Sequence, residues 1–267
     1  MVRRSTRIPL AVLTGTMLVF GPVVVPGQAE PTAASSPLAF ERSLRLAGAV
    51  NARDIGGYRT IDGRTVRTGV VYRADQLNKL TPADLAELSR RQVREIDDLR
   101  TVYERALAPD RVPTGAHDNW YDVVGETPLP QLMSSLAGGP EMYRAFITAP
   151  GANRAVAAVL RDVIDNGRNG DAVLFHCTAG KDRTGWVAAV LLTLLGVDRD
   201  TVVEDYLLSN HYRGADPGDL LGGVDKSWLE AAFDQATATY GGFERYVRDG
   251  LRLSAADIAA LREVMLV

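Results

Sequence analysis

Cysteine is almost missing from this 267-residue chain, which has one, Cys177, and only three histidines. A lone thiol excludes an internal disulfide framework, so stability has to come from ordinary packing, and an oxidised Cys177 would have no resolving partner. No His, Cys and acid cluster has metal-ligand spacing along the sequence, so neither a metal nor another cofactor is expected. Long apolar runs are also lacking. The stretch from Leu10 to Phe20 is broken by Thr14, Gly15 and Thr16 and followed by Gly21, Pro22 and Pro26, short of the about 20 apolar residues a membrane span needs. An excess of positive charge is absent too: 30 basic against 33 acidic residues give a formal net charge of −3. That balance argues against general nucleic-acid binding and against a polybasic membrane patch.

The first segment carries Arg3, Arg4 and Arg7, then the apolar stretch, then Gly27-Gln28-Ala29 with small residues where a signal peptidase inspects the chain. This predicts a signal peptide over residues 1–29, cleavage after Ala29, and a secreted or extracytoplasmic protein without a stable membrane anchor. A lipoprotein is excluded, because no cysteine stands at the cleavage point. Removing three arginines and no acids moves the formal charge from −3 to −6. Residues 30–43, rich in Pro, Ala, Ser and Thr, read as a flexible tether. Residues 44–267 read as one catalytic domain, and a chain 46% hydrophobic can bury one substantial core.

The segment His176-Cys177-Thr178-Ala179-Gly180-Lys181-Asp182-Arg183-Thr184-Gly185 lies between two apolar elements. Before it, Ala172-Val173-Leu174-Phe175 is apolar without alternation, as in a parallel strand buried on both faces. After it, Val187, Val190, Leu191, Leu194 and Leu195 form one helical stripe that ends at Gly196. Five residues between Cys177 and Arg183 let the backbone curl into a nest of inward N–H groups, at which the following helix aims its positive end. A thiol of pKa ~8.5 in such a place falls to roughly 3.5–7.5, which makes Cys177 a nucleophile. Arg183 supplies a planar fork for two phosphoryl oxygens, and the Thr184 hydroxyl is expected to donate to the sulfur as it leaves. The loop residues Thr178, Ala179, Gly180 and Lys181 are expected to bind the phosphate, with Lys181 either on the pocket floor or facing solvent. His176 is expected to orient the loop, and His117 and His211 to lie at the surface. The bland alternative, a small buried core cysteine, fits poorly with the polar residues that follow it.

On these residues the chain resembles the cysteine-dependent phosphatases, with their His-Cys, five residues, Arg and Ser/Thr. Cys-x-Ala-Gly-Lys-Asp-Arg-Thr-Gly is similar to the bacterial tyrosine phosphatase family that also acts on phosphoinositides, and Asp-Arg-Thr to myotubularin-type lipid phosphatases. Asn51-Ala52-Arg53-Asp54-Ile55-Gly56-Gly57-Tyr58, Tyr72-Arg73-Ala74-Asp75, Asp98-Leu99-Arg100-Thr101 with Glu104, and Tyr206-Leu207-Leu208-Ser209-Asn210 extend the resemblance from about Leu44 to the C-terminus. It implies a protein-tyrosine phosphatase working through a phosphocysteine, with phosphotyrosine proteins or phosphoinositides as substrates. A secreted cysteine phytase, a phosphate-binding pseudophosphatase and a sulfurtransferase are the alternatives. It also implies a three-layer α/β fold with a mainly parallel central sheet, flanking helices and a helical C-terminal part.

A phosphoryl transfer of this kind needs an acid for the leaving oxygen. Asp182 is the first candidate, because it lies inside the loop and the resembling family carries an aspartate there; Asp122 and Glu126 are the others. Arg53 and Asp54 are expected to form a structural ion pair. Along the chain, Asp62-Gly63 predicts a hairpin turn, while Thr81, Thr101, Thr201 and Ser254 predict capped helix starts. Strands are expected at Glu95–Leu99 and Asn119–Val124, a helix stop at Asn166-Gly167, and a loop from His211 to Lys226 that covers the site.

Overall fold

A computed structural model describes residues 42–124, 138–216, 218–219 and 221–267. The expected signal peptide, most of the tether, and Glu126 lie outside the described residues. Arg42 and Ser43 are already tied to the domain: Arg42 stacks on Tyr58 at 3.7 Å, and Ser43 bridges Arg53.

Five strands form one sheet in the order β1-β2-β5-β3-β4, with β1 at Arg53–Asp54, β2 at Val71–Ala74, β3 at Val93–Asp98, β4 at His117–Trp120 and β5 at Ala172–His176. Only β1 runs antiparallel to its neighbour. The carboxyl ends of the other four strands therefore open onto one edge. Alternate residues of β5 feed two cores: Val173 and Phe175 join the larger, Ala172 and Leu174 the smaller. Burial on both faces is why that run does not alternate in polarity, and it makes the architecture three-layered, as expected.

The helices are α1 (Pro82–Arg90), α2 (Val102–Leu107), α3 (Pro140–Thr148), α4 (Ala152–Asn169), α5 (Arg183–Leu195), α6 (Arg199–Arg213), α7 (Lys226–Tyr240) and α8 (Ala255–Met265). Capping boxes at Thr81, Thr101 and Ser254 start α1, α2 and α8 as the sequence predicts. On α4, Val156, Val159, Leu160, Val163 and Ile164 are all buried. The central helix α5 is buried nearly all round rather than along one stripe, because it sits beneath the sheet with helices about it.

Four local expectations are corrected. Helix α4 runs through Gly167 and stops at Gly170, because Gly167 is a packing site: a Cβ there would stand 3.1 Å from that of Val264 on α8. Helix α6 is capped by Asp198, which accepts from both the amide (3.0 Å) and the hydroxyl (2.6 Å) of Thr201, so Thr201 is inside the helix. The same helix continues to Arg213, past the expected loop start at His211. Strand β4 ends at Trp120; Val123 and Val124 are apolar because they enter the core beyond the sheet. The Asp62-Gly63 turn forms, with Thr60 N–H donating to Arg64 O at 2.9 Å. Its arms make only one bridge to each other and pair instead with the C-terminal Leu266 and with Val197.

Candidate active site

Residues 177–182 join β5 to α5 at the sheet edge where the parallel strands end. The carbonyls of this loop are held from outside. Cys177 O lies 3.3 Å from His176 Nδ1, and Thr178 O accepts from the Gln76 amide at 3.3 Å. Ala179 O accepts from Asn51 Nδ2 (3.1 Å) and Arg213 Nη1 (3.2 Å), and Gly180 O from Arg73 Nη2 (2.9 Å). None of the amides of residues 178–182 donates to another described residue. With the carbonyls of residues 177–180 held in this way, those N–H groups are left without a protein acceptor among the described residues, which is the arrangement the predicted nest requires.

Gly180 makes the loop possible. Its φ is +66°, and a Cβ there would fall 2.6 Å from Ala74 O, at the end of β2. Behind the loop, Arg73 pairs with Asp205 at 2.7 Å, and Arg53 stands 3.6 Å from the same carboxylate. Arg53 Nη1 also donates to Asn51 Oδ1 at 2.5 Å, which turns the amide of Asn51 toward Ala179. Burial and the neighbouring Arg73 bring the Arg53 guanidinium down to about 10, still charged at neutral pH. The expected Arg53–Asp54 pair does not form. Asp54 instead accepts from the amides of Gly56 and Gly69, both at 2.7 Å.

Arg183, the first residue of α5, donates through Nη1 (2.7 Å) and Nη2 (2.6 Å) to the two oxygens of Glu104 on α2. This end-on grip uses the Nη1/Nη2 edge and leaves the Nε/Nη2 edge, a second fork, without a described partner. Glu104 also accepts from the Thr178 hydroxyl and from the amide and hydroxyl of Thr101. Burial pushes its carboxyl up, but the bonds and charge of Arg183, with those from Thr178 and Thr101, win and hold it well below the ordinary range. Burial likewise opposes the charge of Arg183, yet Glu104 and the sulfur of Cys177 push its pKa up.

Cys177 is 1% exposed and thus buried at the foot of the loop. It packs within the larger apolar core, yet its sulfur and the Arg183 guanidinium interact electrostatically, which a plain apolar residue would not do. Thr184 is buried and its hydroxyl has no hydrogen-bond partner among the described residues. Asp182 Oδ1 accepts from Tyr143 Oη at 2.9 Å and from Lys181 Nζ at 3.2 Å; Oδ2 lies 3.1 Å from the same ammonium. Lys181 is 5% exposed and stacks over Trp228 at 5.4 Å, so its solvent-facing alternative is overturned. His176 is buried, its Nε2 3.1 Å from Asp110 Oδ2. His117 and His211 are exposed, as expected. Asp122 accepts from the Val124 amide at 2.9 Å and lines a cavity with Val102, Trp120, Gly151 and Arg154.

Among the described residues one group with metal-ligand geometry does arise in space, Asp98, Asp110 and His176, although no spacing announced it, because its members come from three separate segments. Arg100 donates to both carboxylates and Arg105 pairs with Asp98, so guanidinium groups already neutralise these acids. Tyr143, Arg213 and Asp110 carried no sequence signal, since the first two meet the loop, and Asp110 meets His176 just before it, from distant elements. Arg73 did carry one, a charge inside an otherwise apolar strand.

The family model described as "Tyrosine phosphatase family" matches residues 44–267. The chain is 32% identical to a Cupriavidus necator protein provisionally named a tyrosine-protein phosphatase, over 79% of this chain and 84% of that one. It is 31% identical to the triple specificity protein phosphatase PtpB of Mycobacterium tuberculosis, over 83% of this chain and 98% of the relative. Among solved structures, TpbA of P. aeruginosa in complex with pTyr matches at 18% identity and a TM-score of 0.37, covering 75% of this chain and 88% of that one.

Proposed function

The chain belongs to the tyrosine phosphatase family, and from that premise we propose that it hydrolyses phosphotyrosine by way of a phosphocysteine on Cys177. The observation that carries the reading is the set of unengaged amides over residues 178–182, gathered around Cys177 with the second fork of Arg183 beside them. In the first step the Cys177 thiolate attacks phosphorus, the bond to the phenol oxygen breaks, and the Asp182 carboxyl gives its proton to that oxygen. In the second step water attacks phosphorus, Asp182 takes a proton from it, and the Sγ–P bond breaks to release inorganic phosphate. The amides and Arg183 meet the charge of the equatorial oxygens in both transition states.

A second reading, phosphoinositide hydrolysis, is favoured by Lys181, a buried ammonium at the loop that suits a substrate bearing more than one phosphate. Export follows the N-terminal pattern of Arg3, Arg4 and Arg7, the apolar stretch and Gly27-Gln28-Ala29. Its test is the N-terminal mass of the protein recovered from the medium and from cells; an intact Met1 on all of it refutes export.

The central test is a turnover panel of phosphotyrosine, phosphoserine, phosphoinositide and phytate, with thiosulfate as a sulfur-transfer control, for the wild type and Cys177→Ser. Phosphate release that vanishes in the serine variant supports the proposal. Unchanged turnover in that variant refutes the nucleophile, and tight phosphopeptide binding without turnover in the wild type would make the chain a binding module.

A further inference from the structure

Two buried tyrosines, one from α3 and one from α6, line up behind Asp182. Tyr143 of α3 and Tyr206 of α6 are 0% and 1% exposed. Their rings meet edge to face, with centroids 6.0 Å apart at 84°. The oxygens form a chain: Tyr206 Oη lies 2.6 Å from Tyr143 Oη, which lies 2.9 Å from Asp182 Oδ1. Its direction is fixed by counting protons. An ionised carboxylate only accepts, so Tyr143 must spend its proton on Asp182, and Tyr206 must then donate to Tyr143. Gly185 admits this arrangement, because a Cβ there would stand 3.0 Å from the ring of Tyr206.

We propose that Tyr143 and Tyr206 are positioning residues for Asp182: the relay clamps Oδ1, so that Oδ2 is the oxygen that carries the proton and faces the leaving group. The proposal rests on the reading of Asp182 as the acid. With Oδ1 accepting a phenol O–H as well as the Lys181 ammonium, a proton on that oxygen would oppose the incoming donors, whereas Oδ2 touches only that ammonium among described residues. The other charges about the relay are Arg183, which is felt at Asp182, and Arg73 and Asp225, which are felt at Tyr206. Burial, then the nearby Asp182 charge, keeps Tyr143 well above its ordinary pKa, so it remains a donor throughout the pH range of an assay.

Removing a donor from a carboxylate makes its proton harder to lose. Tyr143→Phe should therefore move the alkaline limb of the kcat pH profile upward by about one pH unit and lower kcat by about tenfold or more on aryl phosphates with poor leaving groups. Good leaving groups should be affected little. Tyr206→Phe should do the same to a smaller extent, since it acts through Tyr143. The double variant Tyr143→Phe/Tyr206→Phe should be no worse than Tyr143→Phe alone, and neither change should matter in an Asp182→Asn background. Melting curves of each variant identify any that lose the fold, in which case the milder Tyr206→Phe decides. Additive effects, or an alkaline limb that does not move while Asp182→Asn abolishes poor-leaving-group turnover, would overturn the relay alone. An Asp182→Asn enzyme as active as wild type on poor leaving groups would overturn the acid assignment beneath it.

Discussion

Glu104 is the residue whose loss should tell most about how the loop is held. Its two oxygens face donors on every side: Oε1 accepts from Arg183 and Thr178, Oε2 from Arg183 and from the amide and hydroxyl of Thr101. A glutamine here is no gentle change. Whichever way its amide flips, an NH2 group points at donors that needed an acceptor. The side chains of Arg183 and Glu104 are 8% and 24% exposed, and breaking a buried pair by removing one partner costs about 3–5 kcal/mol. The partial exposure of Glu104 puts Glu104→Ala near the lower end, about 3 kcal/mol, or roughly 6–12 °C in Tm for a domain of this size.

Catalysis should fall as well, because Arg183 would no longer present its second fork squarely. Losing a charge-assisted bond of about 1.5–3 kcal/mol corresponds to roughly a 10- to 150-fold drop in kcat/KM, for Ala and Gln alike. A phosphate or vanadate ion can replace the missing countercharge, so the Tm of Glu104→Ala should rise more on adding the anion than that of the wild type. The pH dependence has a definite sign. The folded carboxyl of Glu104 is depressed, so its contribution is present above its unfolded pKa of about 4.3 and is lost as pH falls; wild type and Glu104→Ala should converge in stability in acid. Equal Tm at pH 7 together with kcat/KM within threefold for both variants would refute this account of Arg183.

Asp97 and Asp162 form a second acid pair, bridged by Asn119 Nδ2 at 3.2 and 3.4 Å and far from any basic partner the described contacts provide. Burial first, then the charge of Asp162, holds Asp97 well above the carboxylate range, and its Oδ2 has no donor, a lack that a proton on it resolves. A raised folded pKa gives stability that is full below the unfolded value and declines as pH rises, so Asp97→Asn should flatten the loss of stability as pH rises above about 4, measured by urea midpoints; an unchanged slope refutes the pairing. Gly180→Ala should cost activity at least tenfold by moving the loop off Arg73, whereas Gly170→Ala, also at positive φ (79°) but with open space for a Cβ, should cost only the about 1–2 kcal/mol of a left-handed residue. Equal activity in the two alanine variants would show that the contact with Ala74 does not shape the loop.

What could be read from the sequence was whatever is decided within one turn of chain. The caps at Thr81, Thr101 and Ser254 are local hydrogen bonds between neighbours three apart, and Gly196 ends α5 for an equally local reason. The nest was legible because five residues, a glycine and a helix start determine its curvature. Gly167 misled because a glycine that ends a helix and one that admits Val264 look alike until the partner helix is present. Val123 and Val124 misled because apolar residues mark burial rather than strand. Arg53 was paired with its neighbour in sequence, although its carboxylate, Asp205, comes from a helix 152 residues later. A separation of 39 residues from Asp182 likewise hid Tyr143, whose only mark is a hydroxyl on an otherwise apolar helical face.

The charges of the site explain how an acidic chain can draw a phosphate dianion. Near the loop, Arg213 donates to the carbonyls of Ala179 and Gly222, whereas four cations are anchored by carboxylates: Arg183 by Glu104, Lys181 by Asp182, and Arg53 with Arg73 by the single Asp205. That last arrangement leaves two guanidinium groups sharing one acid directly behind the loop carbonyls, an excess of positive charge sealed from solvent. Surface acids more than about 8 Å away are screened at physiological ionic strength, whereas buried charges are screened far less. The field at the nest is therefore set by Arg53, Arg73, Arg183 and the amides, not by the formal net charge of −3. Only the Lys181–Asp182 contact joins a loop cation to the proposed acid itself. The loop ammonium and the proposed acid are therefore coupled directly, so any substrate group that engages Lys181 acts on the partner of Asp182 as well.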